Sequence, residues 1–397
     1  MRILELNQQK EIEKVMRDIK VDPYGIKIMA PKAKHYLIKI NSLANVAANI
    51  LKQEMLSLGA DVAIAKDSLT GKTKRTDCLA IASLAQLSNL NKKLSRQPFG
   101  LDKLSQQISS LINNYQKNNF TLDLGKYKLT LKNGKAMIMA IINVTPDSFS
   151  GDGLYEAGME KIVAYAEELV KEGADILDVG GESSKPGARP VSLKEELART
   201  IPVIQALAKK IKVPISIDTS KPEVAKCALE NGACMINDIT GLKNPKMIKI
   251  ARKYGCAVVI MHMKGTPANM QDNPEYSFLL DEITDFLSKA IDTALQGGIK
   301  KEKIIIDPGI GFGKTIEHNL EILKNLKELK SLGVPIMVGT SRKSFIGKIL
   351  NKEPGDRIFG TIATSVLAVQ NGANILRVHD VKEVKQSIKI LNRLNNL

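Results

Sequence analysis

From Ala136 onward the chain repeats one hydrophobic pattern. Short runs of Val, Ile, Leu and Ala stop at a polar tip, and a longer stretch with apolar residues three and four apart follows. The short runs predict strands at Met137–Asn143, Asp175–Gly180, Val213–Asp218, Met235–Asp238, Ala257–His262, Ile304–Asp307, Pro335–Gly339 and Ala373–Val378. Between them, KIVAYAEELVKEG, SLKEELARTIPVIQALAKKI, KPEVAKCALENG, PKMIKIARKYG and FLLDEITDFLSKAIDTALQGG read as amphipathic helices, several closing on Gly. Runs that are apolar at nearly every position suit parallel strands covered on the outside. Eight such units predict an α/β fold, a closed (β/α)8 TIM barrel. An open doubly wound sheet is the alternative. Polar residues gather at the end of every strand, not at one switch point, which favours the barrel.

Residues 1–125 have a different character. HYLIKI, ADVAIAKD and TDCLAIA read as strands, and SLANVAANILKQEMLSLG and the stretches after Ser83 and Asp102 as helices. A smaller N-terminal α/β domain is therefore expected over 1–125, with the barrel over 126–397. NYQKNNFTLDLGK reads as the polar joint between them. YKLTLKNGKAMIM reads as a hairpin turning at Asn133-Gly134 and plugging the barrel floor.

Composition narrows the class. A hydrophobic share of 44% with 25% charged residues is that of an ordinary soluble protein, and 397 residues allow one large domain and a small one. No apolar run is long enough to span a bilayer, and the start carries no secretory pattern, so a cytoplasmic protein without a membrane partner is expected. The four cysteines form no C-x-x-C pair and read as small buried thiols. A net charge of +16 raises nucleic acid as a partner. Lys is scattered, Trp is absent and no basic stripe is interleaved with aromatics, so small anionic substrates are expected instead.

The strand tips carry the candidate chemistry: Asn143; Glu182, Ser183, Ser184 and Lys185; Asp218; Asn237 and Asp238; His262; Asp307; Ser341, Arg342 and Lys343; Arg377 and His379. A helix N-cap explains one such tip, and Asp218-Thr219-Ser220 ahead of Pro222 would serve as one. It does not explain eight in succession, because buried polar groups are costly without partners. Asp218, Asp307, Asn237 and Lys343 together suit a flat heterocycle with donors and acceptors on its edge. Arg377 and His379, two apart at one tip, make a cationic pair for phosphate or pyrophosphate. Asn143 offers a hard oxygen for a magnesium ion held mainly by phosphate and water. DPGIGFGK allows close backbone approach, and Phe312 adds a ring. His318 reads as a helix cap, His262 equally as a structural residue, and no His/Cys cluster has zinc spacing.

INVTPDSFS, ILDVGGESSKPGA, ISIDTSKPEVA, INDITG, MHMKGTPANMQ, IIIDPGIGFGKT, VGTSRKSFIG and LRVHDV, in this order, resemble the dihydropteroate synthase family, the target of sulfonamides, over about Ile138 to His379. The N-terminal unit looks like the extension that some bacterial members carry. The resemblance implies a Mg2+-requiring transferase of folate biosynthesis. It would join 6-hydroxymethyl-7,8-dihydropterin pyrophosphate to p-aminobenzoate through a dissociative step and release pyrophosphate. It implies that Asp218, Asn237, Asp307 and Lys343 hold the pterin, and that Asn143, Arg377 and His379 hold pyrophosphate and the metal. Ser184, Lys185, Pro186, Phe312, Lys343 and Ser344 would frame the p-aminobenzoate pocket, and pairing through outer helices would give a homodimer. The catalytic set is thus Lys343, Asp218, Asp307, Arg377, Ser184 and Lys185. Two positions depart from the pattern. GGESSKPG replaces GGESTRPG, so Lys185 keeps the charge but lacks the guanidinium fork. SFSGDG replaces SFSDGG, which moves the loop acid to Asp152. Pterin-dependent methyl transfer and a non-catalytic pterin-binding scaffold are the rival functions; SRKS and RVHD favour the synthase, because neither rival needs a pyrophosphate site.

Overall fold

The computed structural model of the chain describes residues 1–6, 8–132, 134–145, 158–183, 185 and 187–394. Two compact units emerge, Met1–Asn113 and Asn114–Leu397.

The first unit opens with α1 (Gln9–Asp18) and α2 (Pro23–Ala33), continues through β1 (His35–Ala44), α3 (Asn45–Leu56), β2 (Asp61–Ile64), α4 (Lys66–Leu69), β3 (Arg75–Ser83) and α5 (Leu84–Leu94), and enters α6 (Leu101–Gln116). Its strands form an antiparallel sheet in the order β1-β3-β2. Ile38, Val62, Cys78 and Ala80 on one sheet face pack with Leu51, Met55, Leu87, Leu90, Leu101 and Ile108 from the helices. The alternation of strand side chains leaves Leu37, Leu79 and Ile81 exposed on the other face.

The stretch read as a polar joint is the end of α6 and the first arm of a hairpin. β4 (Asn119–Asp123) pairs antiparallel with β5 (Lys128–Lys132), and Leu124 N–H donates to Tyr127 C=O at 2.8 Å inside the turn. The expected hairpin is therefore shifted: KLTLK is its second arm, and beyond Gly134 the chain passes into the first barrel strand. The reason is packing. Leu122, Leu124 and Leu131 are buried against Met139, Ile176, Met235, Val259, Ile305, Met337 and Ile375 at the barrel floor. The floor is plugged as expected, by a hairpin one strand earlier.

Above that plug run β6 (Met137–Asn143), α7 (Met159–Glu172), β7 (Ile176–Gly180), α8 (Leu193–Lys210), β8 (Ile215–Asp218), α9 (Pro222–Glu230), β9 (Met235–Asp238), α10 (Pro245–Tyr254), β10 (Ala257–Met261), α11 (Leu279–Gln296), β11 (Ile304–Asp307), α12 (Ile316–Lys324), β12 (Met337–Val338), α13 (Ser344–Leu350), α14 (Ile358–Gln370), β13 (Ile375–Val378) and α15 (Val381–Leu394). The eight strands from β6 on form one sheet in the order β11-β10-β9-β8-β7-β6-β13-β12, with parallel pairing throughout. A parallel bridge from Ile306 to Ile336 closes the ring. This is the expected (β/α)8 barrel. Alternate residues serve two cores. Ile138, Ala140, Ile142, Leu177, Val179, Ile215 and Ile217 face the helices, and their neighbours face the lumen. The runs are apolar at successive positions because both faces of each strand are covered. Among the described residues no helix is long and apolar enough to cross a membrane.

Candidate active site

The inward register places Asn143 on β6, Asp218 on β8, Asn237 on β9, Asp307 on β11 and Arg377 on β13 in the upper lumen. They line a cavity of about 370 Å³ together with Lys185, Phe312, Lys343, Ser344 and His379. Every described residue assigned by the resemblance to the catalytic, pterin, pyrophosphate or p-aminobenzoate sites lines this cavity, whereas the tips Asp238 and His262 do not. Ser184 and Pro186 lie outside the described residues, as do Asp147, Ser148 and Asp152.

Asp218 is no helix cap. α9 starts after Lys221 without a side-chain cap, and the Asp218 carboxylate accepts from Arg377 Nη2 at 2.6 Å. Burial pushes the Asp218 carboxyl up to about 7, against the pull of Arg377. Arg377, expected to form a cationic pair with His379 for phosphate, is itself anchored by carboxylates. Its Nε donates to Asp178 Oδ2 at 2.7 Å while Nη2 serves Asp218, so two carboxylates hold the guanidinium across the lumen. His379 is the other half of that pair. Burial and the nearby Arg342, Arg377 and Lys343 hold its imidazole well below the ordinary range. Its Nδ1 lies 3.1 Å from Ser341 Oγ.

Lys343 stands with its Nζ 4.1 Å from the centre of the Phe312 ring, a cation–π contact. Burial and Arg377 push its ammonium down to about 8, opposed by Asp307 and Asp218. Asp307 Oδ1 accepts from Gly309 N–H at 2.7 Å, yet burial raises its carboxyl above the usual range. Gly309 has φ +69°, and a Cβ there would sit 1.9 Å from the His262 carbonyl oxygen. Only glycine lets this loop lie against its neighbour. Met261 and Met270 form one apolar wall with Phe312.

Other tips proved structural. Asp238 faces away from the lumen and caps its own loop, accepting from Thr240 N–H at 2.8 Å and Leu242 N–H at 3.2 Å. His262 is buried outside the cavity, its Nδ1 3.0 Å from Lys314 Nζ, and burial and Lys314 push it down to about 3. His318 closes the capping box at the start of α12 with Thr315.

Several residues escaped the sequence reading. Asp178 is fully buried in the lumen and holds both Arg377 and Asn237. Its signal was a carboxylate in the middle of the apolar run ILDVG, at a lumen-facing position. Lys314, the last residue of DPGIGFGK, is buried and pushed down to about 7 by its surroundings, against the pull of Asp307. Arg357 escaped as well: it donates to the carbonyl of Arg342, one of the expected tips, which takes φ +57° and is also held by Asp380 (2.6 and 3.2 Å). Both arginines line the cavity. At the base of the Glu182–Lys185 loop, Lys221 bridges Glu182 and the fully buried Glu196, which also accepts from Thr219.

Residues 139–379 match the family model of pterin binding enzymes. The dihydropteroate synthase of Synechocystis sp. is 47% identical over 262 residues, 66% of this chain and 90% of that relative. This chain belongs to the dihydropteroate synthase family of pterin-binding enzymes. As such it is a transferase. A crystal structure of the Yersinia pestis dihydropteroate synthase with a sulfonamide drug complex superposes with TM-score 0.66 at 42% identity, over 68% of this chain and 98% of that one. A probable bifunctional folylpolyglutamate synthase/dihydropteroate synthase of Halobacterium salinarum is 35% identical over 371 residues, 93% of this chain and 44% of that relative. An alignment that long reaches beyond the barrel into the N-terminal unit.

Proposed function

We propose that the barrel condenses 6-hydroxymethyl-7,8-dihydropterin pyrophosphate with p-aminobenzoate, the C–O bond to pyrophosphate breaking first and the aniline nitrogen then forming the new C–N bond. The amine loses one proton. The observation that carries this is the convergence of Asp218, Asn237, Asp307 and Lys343 on one 370 Å³ cavity, with Arg377 and Phe312 beside them. The size suits a fused bicyclic ring, and the polar set suits a ring edge with alternating donors and acceptors.

The roles follow the chemistry of each group. Asp218, Asn237 and Asp307 take the ring's N–H groups. Lys343 donates to the ring and stabilises charge near the departing pyrophosphate. Asn143, Lys185 and the His379 imidazole take the pyrophosphate end, with Arg377 acting from below as a fixed positive charge. Ser344, Phe312, Lys343 and Lys185 frame the p-aminobenzoate, together with Ser184 and Pro186. Alignment of two substrates and fixed electrostatics supply the acceleration, so no covalent nucleophile is required.

Magnesium is the proposed metal. Among the described residues no group of three or more His, Cys, Asp or Glu could hold an ion. A single amide oxygen from Asn143 on the cavity wall fits an ion held mainly by phosphate oxygens and water. Bound there, magnesium would neutralise part of the pyrophosphate charge. The protein works as a homodimer in the cytoplasm in this reading.

The test is pyrophosphate release from the purified chain with the pterin pyrophosphate and Mg2+, with and without p-aminobenzoate. Release that depends on p-aminobenzoate, and on magnesium, is the expected result. Pterin binding without release in any condition would refute the reading.

A further inference from the structure

We propose that Asp178 is the positioning residue that gives the cavity its choice of ring edge, by fixing which end of the Asn237 amide faces the substrate. The inference rests on the pterin reading above and deepens it.

Asp178 sits on β7 one level below the cavity, which it does not line, and is fully buried. Its Oδ2 accepts twice: from Arg377 Nε at 2.7 Å and from Asn237 Nδ2 at 3.0 Å. A carboxylate oxygen accepts and does not donate, so the Asn237 amide can meet it only with its NH2 end. One N–H is spent on Asp178, which fixes the amide so that its oxygen and its second N–H are left for the substrate, Asn237 lining the cavity while Asp178 does not. Asp218 is the cross-strand partner of Asn237 in the β8–β9 ladder, and it too presents an acceptor. The wall therefore offers two acceptors side by side. That arrangement selects a ring with two adjacent donors, such as the 2-amino group and N3–H of a 2-amino-4-oxopteridine. It rejects a ring that carries a carbonyl at position 2.

The same carboxylate holds Arg377 against Asp218 and keeps the guanidinium below the ring plane. A second feature isolates Oδ2 as the working atom. Asp178 Oδ1, and Ser216 Oγ across the strand pair, are buried without a hydrogen-bond partner among the described residues. All specific contacts of Asp178 thus run through one oxygen, shared by a charge and an amide.

The experiment measures dissociation constants for a 2-amino-4-oxo and a 2,4-dioxo dihydropteridine on wild type, Asp178→Leu and Asp178→Asn. Asp178→Asn retains a carbonyl oxygen for both donors, so its preference for the 2-amino ring should stay within about threefold of wild type; Asp178→Leu frees the amide to rotate and should lower that preference at least tenfold, roughly the worth of one buried polar match. Equal losses for both rings in Asp178→Leu would overturn the inference while leaving the pterin reading intact. Wild type that binds neither ring would overturn both. Should Asp178→Leu fail to fold, solvent exchange of the Asn237 side-chain amide in wild type decides. Protection already present in the ring-free protein is expected; protection that arises only on ring binding would overturn the inference.

Discussion

The lumen of the barrel has two halves built by the same eight strands, and they share almost nothing. Below, Met139, Ile176, Met235, Val259, Ile305, Met337 and Ile375 fill the space with apolar side chains over the β4–β5 plug. Above, on the same inward register and about two residues further along each strand, stand Asp178, Asp218, Asn237, Asp307 and Arg377. Side-chain alternation at a period of two forces both sets to point inward. What differs is how they are stabilised. The lower half is held by apolar burial and close packing. The upper half has an acid–base set whose charges are mutually compensated and still carry altered proton affinities. Stability and chemistry are thus stacked along one axis, with chemistry at the C-terminal strand ends.

The sharpest way to break this contrast is Arg377→Met. It leaves Asp178 and Asp218 facing each other without their shared cation, and removing one partner of a buried ion pair typically costs about 3–5 kcal/mol. Chemical denaturation should show a loss of that order together with loss of pterin binding. A variant as stable as wild type would mean that the pair is well solvated.

Lys343→Ala should leave the fold in place and lower turnover by about 10²–10³-fold, the usual cost of one preorganised electrostatic group. Steady-state pyrophosphate release measures it. In the lower half, Leu131→Ala should cost about 2–4 kcal/mol of stability as a core truncation. Activity per folded molecule should barely change, and a matched fall in activity would couple the two halves.

The smallest effect is the pH profile. Asp218 must be ionised to accept ring donors, so binding should weaken as pH falls below about 7. Lys343 must be charged, so turnover should decline as pH rises above about 8. Each limb should fall about tenfold per pH unit. The stability sign on the acid side is opposite. The Asp218 carboxyl titrates higher in the native state than in the unfolded chain, where it lies near 3.8. Between about 4 and 7 the native state therefore binds the extra proton, and acidification through this window favours folding from this group. Pterin binding should be lost on the acid side before the fold weakens, as titration calorimetry and near-ultraviolet circular dichroism at matched pH can separate.

Much of this was legible in the residues. The strand–helix alternation located all eight strands within one or two residues at each end, because buried parallel strands are apolar on both faces. The polar tips led directly to the cavity, because a polar side chain ending an apolar strand has few other places to go. Three things were not legible. The hairpin was misplaced because Asn133-Gly134 is a strong local turn signal, whereas the burial of Leu122 and Leu131 under the barrel is a long-range fact. The partners of Arg377 were invisible, since Asp178 and Asp218 lie 199 and 159 residues away in sequence. His379 looked cationic beside Arg377, but its burial, together with the neighbouring positive groups, holds its imidazole well below the ordinary range.

Chemistry resides in the upper lumen, and the floor below it serves stability. The measurement that tests it most directly is p-aminobenzoate-dependent pyrophosphate release by Asp307→Asn and Leu131→Ala, each corrected for its folded fraction. A fall of about 10²-fold or more is expected for Asp307→Asn and a change of less than about twofold for Leu131→Ala. Equal losses in the two variants, or full turnover by Asp307→Asn, would contradict it.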